Sequence, residues 1–227
     1  MISIDELSRQ VADLCPEDHL KSFLARDCRP DGRALDEARP IVLAKNVVST
    51  CDYSTLVRLG MTKCLCGIRA ELVQPGAETP DCGMISINFE FSSLSSSNAR
   101  SGPPDEKCQS VSISLDNIVK NVIDLTQLSV ERDQLAWALF VDVYCLEDDG
   151  NVFDAALLAI TKALCCLQLP TASVVTDESS GKKKWHVDKD DKKVALKLKE
   201  TPISTTYGEF GGILLIDPTL KETQLGR

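Results

Sequence analysis

The sequence predicts an α+β fold. Three observations carry that assignment. The runs 54–59 and 62–72 flank Leu59-Gly60-Met61-Thr62, a tight turn that makes them an antiparallel hairpin. The run 84–91 alternates Ile85, Ile87, Phe89 and Phe91, the period of a half-buried strand. The run 155–167 is apolar on nearly every side, as a helix packed between layers must be. Mixed strands and helices with antiparallel neighbours exclude a simple parallel βαβ repeat.

In chain order, Pro16 to Cys28 reads as a helix, with Leu20, Phe23 and Leu24 on one stripe. Arg29-Pro30-Asp31-Gly32 breaks it. Strands follow at Ile41 to Ala44, Ser54 to Leu59 and Thr62 to Leu72, and Cys64, Cys66 and Ile68 share one face of the last. Gln74 to Gly83 is a loop, Met84 to Phe91 a strand, and Ser92 to Pro104 a serine-rich loop. The paired prolines 103 and 104 suit the start of a helix whose stripe is Val111, Leu115, Ile118, Val122 and Leu125. Leu135 to Leu146 is a buried strand, and Glu147 to Asn151 an acidic turn. Asp154 is expected to cap the apolar helix and Pro170 to end it. Thr171 to Val175 reads as a strand and Asp177 to Asp191 as an exposed loop. Val194, Leu196 and Leu198, alternating with lysines, read as an edge strand, and Ile213 to Ile216 as a last strand before Asp217-Pro218.

The 227 residues are 43% hydrophobic and 26% charged, ordinary globular usage that excludes disordered and coiled-coil classes. The net charge is −9, which argues against a stand-alone nucleic-acid binder. The charge is uneven: Lys182 to Glu200 holds eight lysines against four acids. The ten cysteines form no C-x-x-C pair, and His19 and His186 are the only histidines, so neither a zinc site nor any other metal or cofactor is expected. Thiols inside apolar runs behave as small hydrophobes, and the expected compartment is a reducing one. The N-terminus lacks a signal-peptide pattern and no apolar stretch reaches membrane length, so no membrane partner is expected.

Four clusters bear chemistry. Glu147, Asp148, Asp149 and Asp154 have the carboxylates for a hard cation or acid–base work, but better suit an acidic turn leading into a helix capped by Asp154. Arg100 precedes a helix start and has the charge to hold a phosphate, or is a surface arginine. Lys182, Lys183 and Lys184 beside Trp185 suit single-stranded nucleic acid, or a solvated loop. Arg29 and Arg33 flank a Pro-Asp-Gly turn and either face an anion or merely frame the turn.

Five segments together resemble the RNase PH-like subunits of the RNA exosome. They are Phe23-Leu24-Ala25-Arg26-Asp27-Cys28-Arg29-Pro30-Asp31-Gly32-Arg33, Leu56-Val57-Arg58-Leu59-Gly60-Met61-Thr62, the Gly67 to Glu71 strand, Arg100-Ser101-Gly102-Pro103-Pro104, and Asp149-Gly150-Asn151-Val152-Phe153-Asp154-Ala155-Ala156. The resemblance implies the RNase PH fold, mixed sheets packed with helices. It implies a six-membered ring of three heterodimers with other RNase PH-like subunits, cap subunits above it, and single-stranded RNA in the channel. It further implies a helical extension at 1–27, a first RNase PH-like domain at 28–170 and an incomplete second one at 171–227. The family continues with further strands and a long helix, so a C-terminally truncated form is expected. The expected compartments are nucleus, nucleolus and cytoplasm.

Active members of this family phosphorolyse RNA from the 3′ end. They use an arginine at the start of the helix after the serine-rich loop, a Gly-Thr-Arg after an Asp-Gly, and two aspartates six residues apart. By resemblance these positions fall on Glu106 (with Lys107 beside it), on Asn151, Val152 and Phe153, and on Asp217 and Thr223 (with Glu222 beside it). The resemblance therefore implies a degenerate phosphorolytic site without catalytic residues, and RNA contacts at Arg100 and Lys107. A phosphorolytic 3′-to-5′ exoribonuclease is the alternative.

Overall fold

The computed structural model describes residues 14–92, 106–176, 183–188 and 193–226. Helix α1 (Pro16–Leu24) is followed by strands β1 (Ile41–Lys45), β2 (Tyr53–Leu59), β3 (Thr62–Val73) and β4 (Met84–Phe91). Helix α2 (Glu106–Val122) and a 3-10 turn (Leu125–Leu128) lead to β5 (Ser129–Glu131) and β6 (Leu135–Glu147). Helix α3 (Val152–Cys166) precedes β7 (Gln168–Leu169), β8 (Thr171–Thr176), β9 (Lys183–Asp188) and β10 (Val194–Ala195). Strands β11 (Tyr207–Phe210) and β12 (Ile213–Ile216) and helix α4 (Leu220–Leu225) complete the order.

A six-stranded sheet runs β1-β2-β3-β6-β4, with β5 also paired to β6. All its pairings are antiparallel except β4 with β6. Gly60 turns β2 into β3 at φ +59, a conformation that suits glycine. Cys64, Cys66 and Ile68 point into the core, as their shared face requires, against the apolar residues of α3. The Thr55 hydroxyl donates to the Ala159 carbonyl at 2.8 Å, anchoring that helix on β2. Helix α2 covers β4, where the Phe89 N–H donates to Ser112 Oγ at 2.9 Å.

A second, smaller cluster joins the two chain ends. Leu20 and Leu24 of α1 pack with Phe210 and Leu215 of the β11–β12 hairpin, and Leu225 of α4 lies against them. Leu20 and Leu24 of the expected stripe are therefore buried, but Phe23 is only half-buried and pairs with the His19 ring, and the helix ends at Leu24 and not Cys28. Asp27 takes a left-handed φ of +54, and the chain turns so that Arg29 is buried.

Several expectations are corrected. Asp154 is not the N-cap of α3: that residue is Asn151, at φ +54 with no side-chain cap. Asp154 sits inside the first turn and accepts from Thr206 N at 2.9 Å and Thr206 Oγ1 at 3.0 Å. Helix α3 ends at Cys166, four residues before Pro170, because Leu167 is already extended and leads into β7. The stretch 177–191 is not simply a loop, since β9 pairs antiparallel with β8. The stripe on α2 is rotated: Cys108, Leu115 and Val119 are buried, while Val111 and Ile118 are only partly covered. The expected edge strand shortens to Val194–Ala195, and Leu196 turns into the core. The serine-rich loop lies outside the described residues from 93 to 105.

Candidate functional site: a carboxylate pair held by three arginines

The site forms where β12 runs into α4. Asp217, at φ +51, directs its carboxylate toward the segment between α1 and β1. Arg39 Nε and Nη2 each donate to that carboxylate at 2.8 Å, one to each oxygen, and the Arg39 backbone N–H donates at 2.8 Å as well. Asn151 Nδ2 adds a bond at 2.7 Å and Arg33 Nη1 one at 3.3 Å. The side chains of Arg39 and Asp217 are both almost wholly buried.

Burial alone raises the Asp217 pKa, but the hydrogen bonds from Arg39 and Asn151 overcome it and hold the carboxyl at about 2. Burial likewise lowers the Arg39 guanidinium, and the bond to Asp217 more than reverses this, so its pKa lies above the ordinary value. The pair is ionised at neutral pH.

Glu222 is the second carboxylate. Arg29, fully buried, forks it with Nε at 2.9 Å and Nη2, and donates to the carbonyls of Ile216 at 2.6 Å and Asp217 at 3.1 Å. Glu222 also completes a capping box with Thr219 at the start of α4. Burial raises its pKa, but the Arg29 and Thr219 bonds outweigh this and lower it. The anions that Arg29 and Arg33 face are therefore internal. Arg33 bonds Asp31 at 2.7 Å and the Asp217 carbonyl at 3.2 Å.

The acidic turn joins the same network through its backbone. Arg39 donates to the carbonyls of Asp149 at 2.9 Å and Gly150 at 3.1 Å. The Thr62 hydroxyl donates to the Gly150 carbonyl at 2.7 Å and accepts from Asp149 N at 3.1 Å. Gly150 needs its glycine: its φ is +83, and a Cβ there would lie 2.5 Å from Leu220 N. Burial raises the Asp149 carboxyl, and Arg39 opposes this without overcoming it. Among the described residues, no group of three metal-ligating side chains is present.

The residues singled out by resemblance fall in different places. Asn151 and Asp217 are hydrogen-bonded, and Asn151, Glu222 and Thr223 line one cavity of about 220 Å³. The Asn151 Oδ1 in that region is buried and has no partner among the described residues. Thr223 is exposed and its hydroxyl donates to the Thr219 carbonyl at 2.9 Å. Val152 is buried and Phe153 packs on the core, so neither offers a polar group. Glu106 is exposed at the first turn of α2. Lys107 lies 5.0 Å from the centre of the Phe91 ring and 3.9 Å from Asp148. Arg100 lies outside the described residues.

Arg39, Thr62 and Thr206 were not among the candidates. Arg39 precedes Pro40 and a strand, with no local sign that its partner is Asp217, 178 positions away.

Residues 37–170 match the RNase PH family, described as the 3′ exoribonuclease family, domain 1. The chain belongs to this family. It is 36% identical over 196 residues to the exosome complex component Rrp42 of Methanopyrus kandleri, covering 86% of this chain and 71% of that protein. It is 39% identical over 161 residues to the exosome complex component rrp43 of Schizosaccharomyces pombe, covering 70% of this chain and 60% of that protein. Among solved structures, a chain of the Archaeoglobus fulgidus exosome with RNA bound to the active site matches with a TM-score of 0.78 and 30% identity. That match covers 95% of this chain and 80% of the other. The mixed sheet and the four helices among the described residues are those of an α+β RNase PH domain.

Proposed function

We propose that this chain is a non-catalytic ring subunit of an RNA exosome. It supports 3′-to-5′ RNA processing and degradation, ribosomal RNA maturation and mRNA turnover among them, by holding partner subunits and lining part of the RNA channel. The observation that carries the proposal is the double fork of Arg39 on Asp217. A carboxylate that serves phosphoryl transfer has to be free to act at the reacting group. Here Asp217 is ionised, buried and saturated by Arg39, Asn151 and Arg33. The position where active relatives carry a phosphate-binding arginine on α2 is Glu106, whose charge repels phosphate, and Phe153 in the turn has no guanidinium.

The serine-rich loop ending Arg-Ser-Gly-Pro-Pro supports the place of ribosomal RNA-processing protein 43 rather than 42 or 45. The partners are then other RNase PH-like subunits, cap subunits and single-stranded RNA, in nucleus, nucleolus and cytoplasm. Arg100 and Lys107 are the RNA-contacting residues of the channel. Residues 1–27 form an extension, 28–170 the first RNase PH-like unit and 171–227 part of a second.

The test is direct. Purified chain is incubated with end-labelled single-stranded RNA and inorganic phosphate, alone and after co-expression with RNase PH-like partners. No nucleoside diphosphate is released by the chain alone, and the chain co-purifies in a ring. Release of diphosphates by the chain alone overturns the proposal.

A further inference from the structure

The β8–β9 hairpin has a feature that the site above does not use. In an antiparallel ladder, directly opposite residues share a face. Ala172 stands opposite Val187 and Val174 opposite Trp185. Ala172 is buried, and Val174 and Val187 pack on the main core. Trp185 continues this apolar row beyond the edge of the core and is 51% exposed, whereas Trp137 is 7% exposed. Strand β9 pairs only with β8 among the described residues, so it is a sheet edge.

Lysines commonly guard such edges against unwanted pairing. Lys183 and Lys184, directly before Trp185 in β9, fit that role. A guard strand, however, gains nothing from a half-open indole, which is itself an adhesive surface. An indole beside cations on an extended strand is the arrangement that stacks a base and neutralises its phosphates. The chain is otherwise acidic, with net charge −9, and lysines outnumber acids two to one between Lys182 and Glu200. Charge complementarity thus favours a polyanion over an acidic or neutral apolar partner.

We propose that the β8–β9 hairpin is a second contact for single-stranded RNA, with Trp185 stacking on a base and the lysines that precede it in sequence supplying the positive charge for phosphates. It uses residues other than Arg100 and Lys107, and it rests on the exosome reading, to which it adds a surface.

The two tryptophans make the test simple. Titration of the full chain with oligouridylate at low salt gives saturable quenching of the exposed Trp185. Duplex RNA of equal phosphate content gives little, because its bases are already stacked. Labelled oligouridylate followed by anisotropy binds Trp185→Ala about tenfold more weakly, and Trp185→Phe retains much of the affinity. Lys183→Ala with Lys184→Ala lowers the salt slope of binding by about 1.4, two phosphate contacts on a single strand. Arg100→Ala with Lys107→Ala leaves the Trp185 quenching intact. The proposal is overturned by absence of quenching, by equal quenching with polyglutamate (an acidic protein surface as occupant), or by loss of quenching in the Arg100/Lys107 variant. Ring assembly is read separately by co-purification, so failure of either proposal is told apart from failure of the other.

Discussion

Arg39 and Asp217 lie 178 positions apart in sequence and meet in a two-pronged ion pair, both prongs 2.8 Å long. The pair ties the entrance of β1 to the exit of β12. Arg39 also reaches the carbonyls of Asp149 and Gly150, so one guanidinium fastens three separate stretches of chain. Arg29 does the same for Glu222, Ile216 and Asp217.

Removing one partner of a buried ion pair strands the other. Arg39→Met leaves the Asp217 charge buried against the backbone N–H of position 39, Asn151 and Arg33, and is expected to cost about 3–5 kcal/mol. Urea unfolding checks it. Asp217→Asn is costly in the same assay too, because it leaves the buried Arg39 charge without its carboxylate and turns an amide NH2 toward donors of Arg39 or Asn151.

The pH dependence follows from the direction of the shifts. Asp217 titrates at about 2 when folded, below the ordinary unfolded carboxyl near about 3.9. Its stabilisation, about 2 kcal/mol, is complete above the unfolded value and is lost as pH falls toward 2. Glu222 acts in the same sense because its pKa is also lowered. Asp149 acts oppositely: its raised pKa favours the folded state at low pH, and that contribution fades as pH rises through the folded value. Unfolding free energies measured from pH 2 to 6 should rise with pH, and rise more steeply in Asp149→Asn.

The Thr62 hydroxyl serves the acidic turn twice, as donor to Gly150 O and acceptor from Asp149 N. Thr62→Val keeps the shape, leaves the Asp149 N–H without its acceptor and leaves the Gly150 carbonyl with Arg39. The expected loss is about 1–3 kcal/mol, seen as a lower thermal midpoint. Thr62→Ser retains the hydroxyl and most of the stability.

Thiol labelling should separate the cysteines into classes. Cys15 and Cys165 are exposed, whereas Cys64, Cys66, Cys108 and Cys145 are buried. Burial pushes the Cys66 thiol far above its ordinary range, so it is neither accessible nor ionised. An alkylating reagent with mass-spectrometric readout should modify Cys15 and Cys165 in the native chain, and Cys66 only after denaturation.

Most of the fold was legible because its elements are periodic. The alternation in 84–91 and the shared face of Cys64, Cys66 and Ile68 report burial on one side of a strand, and those side chains are buried. Helix α3 announced itself by being apolar all round. The misread elements are those whose partners decide them. β9 is polar and lysine-rich, and becomes a strand because β8 supplies its ladder. Asp154 has the chemistry of an N-cap, but Thr206 offers two donors at a distance and the cap falls to Asn151.

The site divides in the same way. Local sequence determined the Pro-Asp-Gly turn, the acidic turn with Gly150 and the family-like segments around them, since each depends on neighbours a few residues away. Only the tertiary structure decided what Arg29, Arg33 and Arg39 face. A guanidinium carries no information about which carboxylate it will meet; that is set by the packing of α1 on the β11–β12 hairpin and α4, which brings the two chain ends together and turns Asp217 and Glu222 inward.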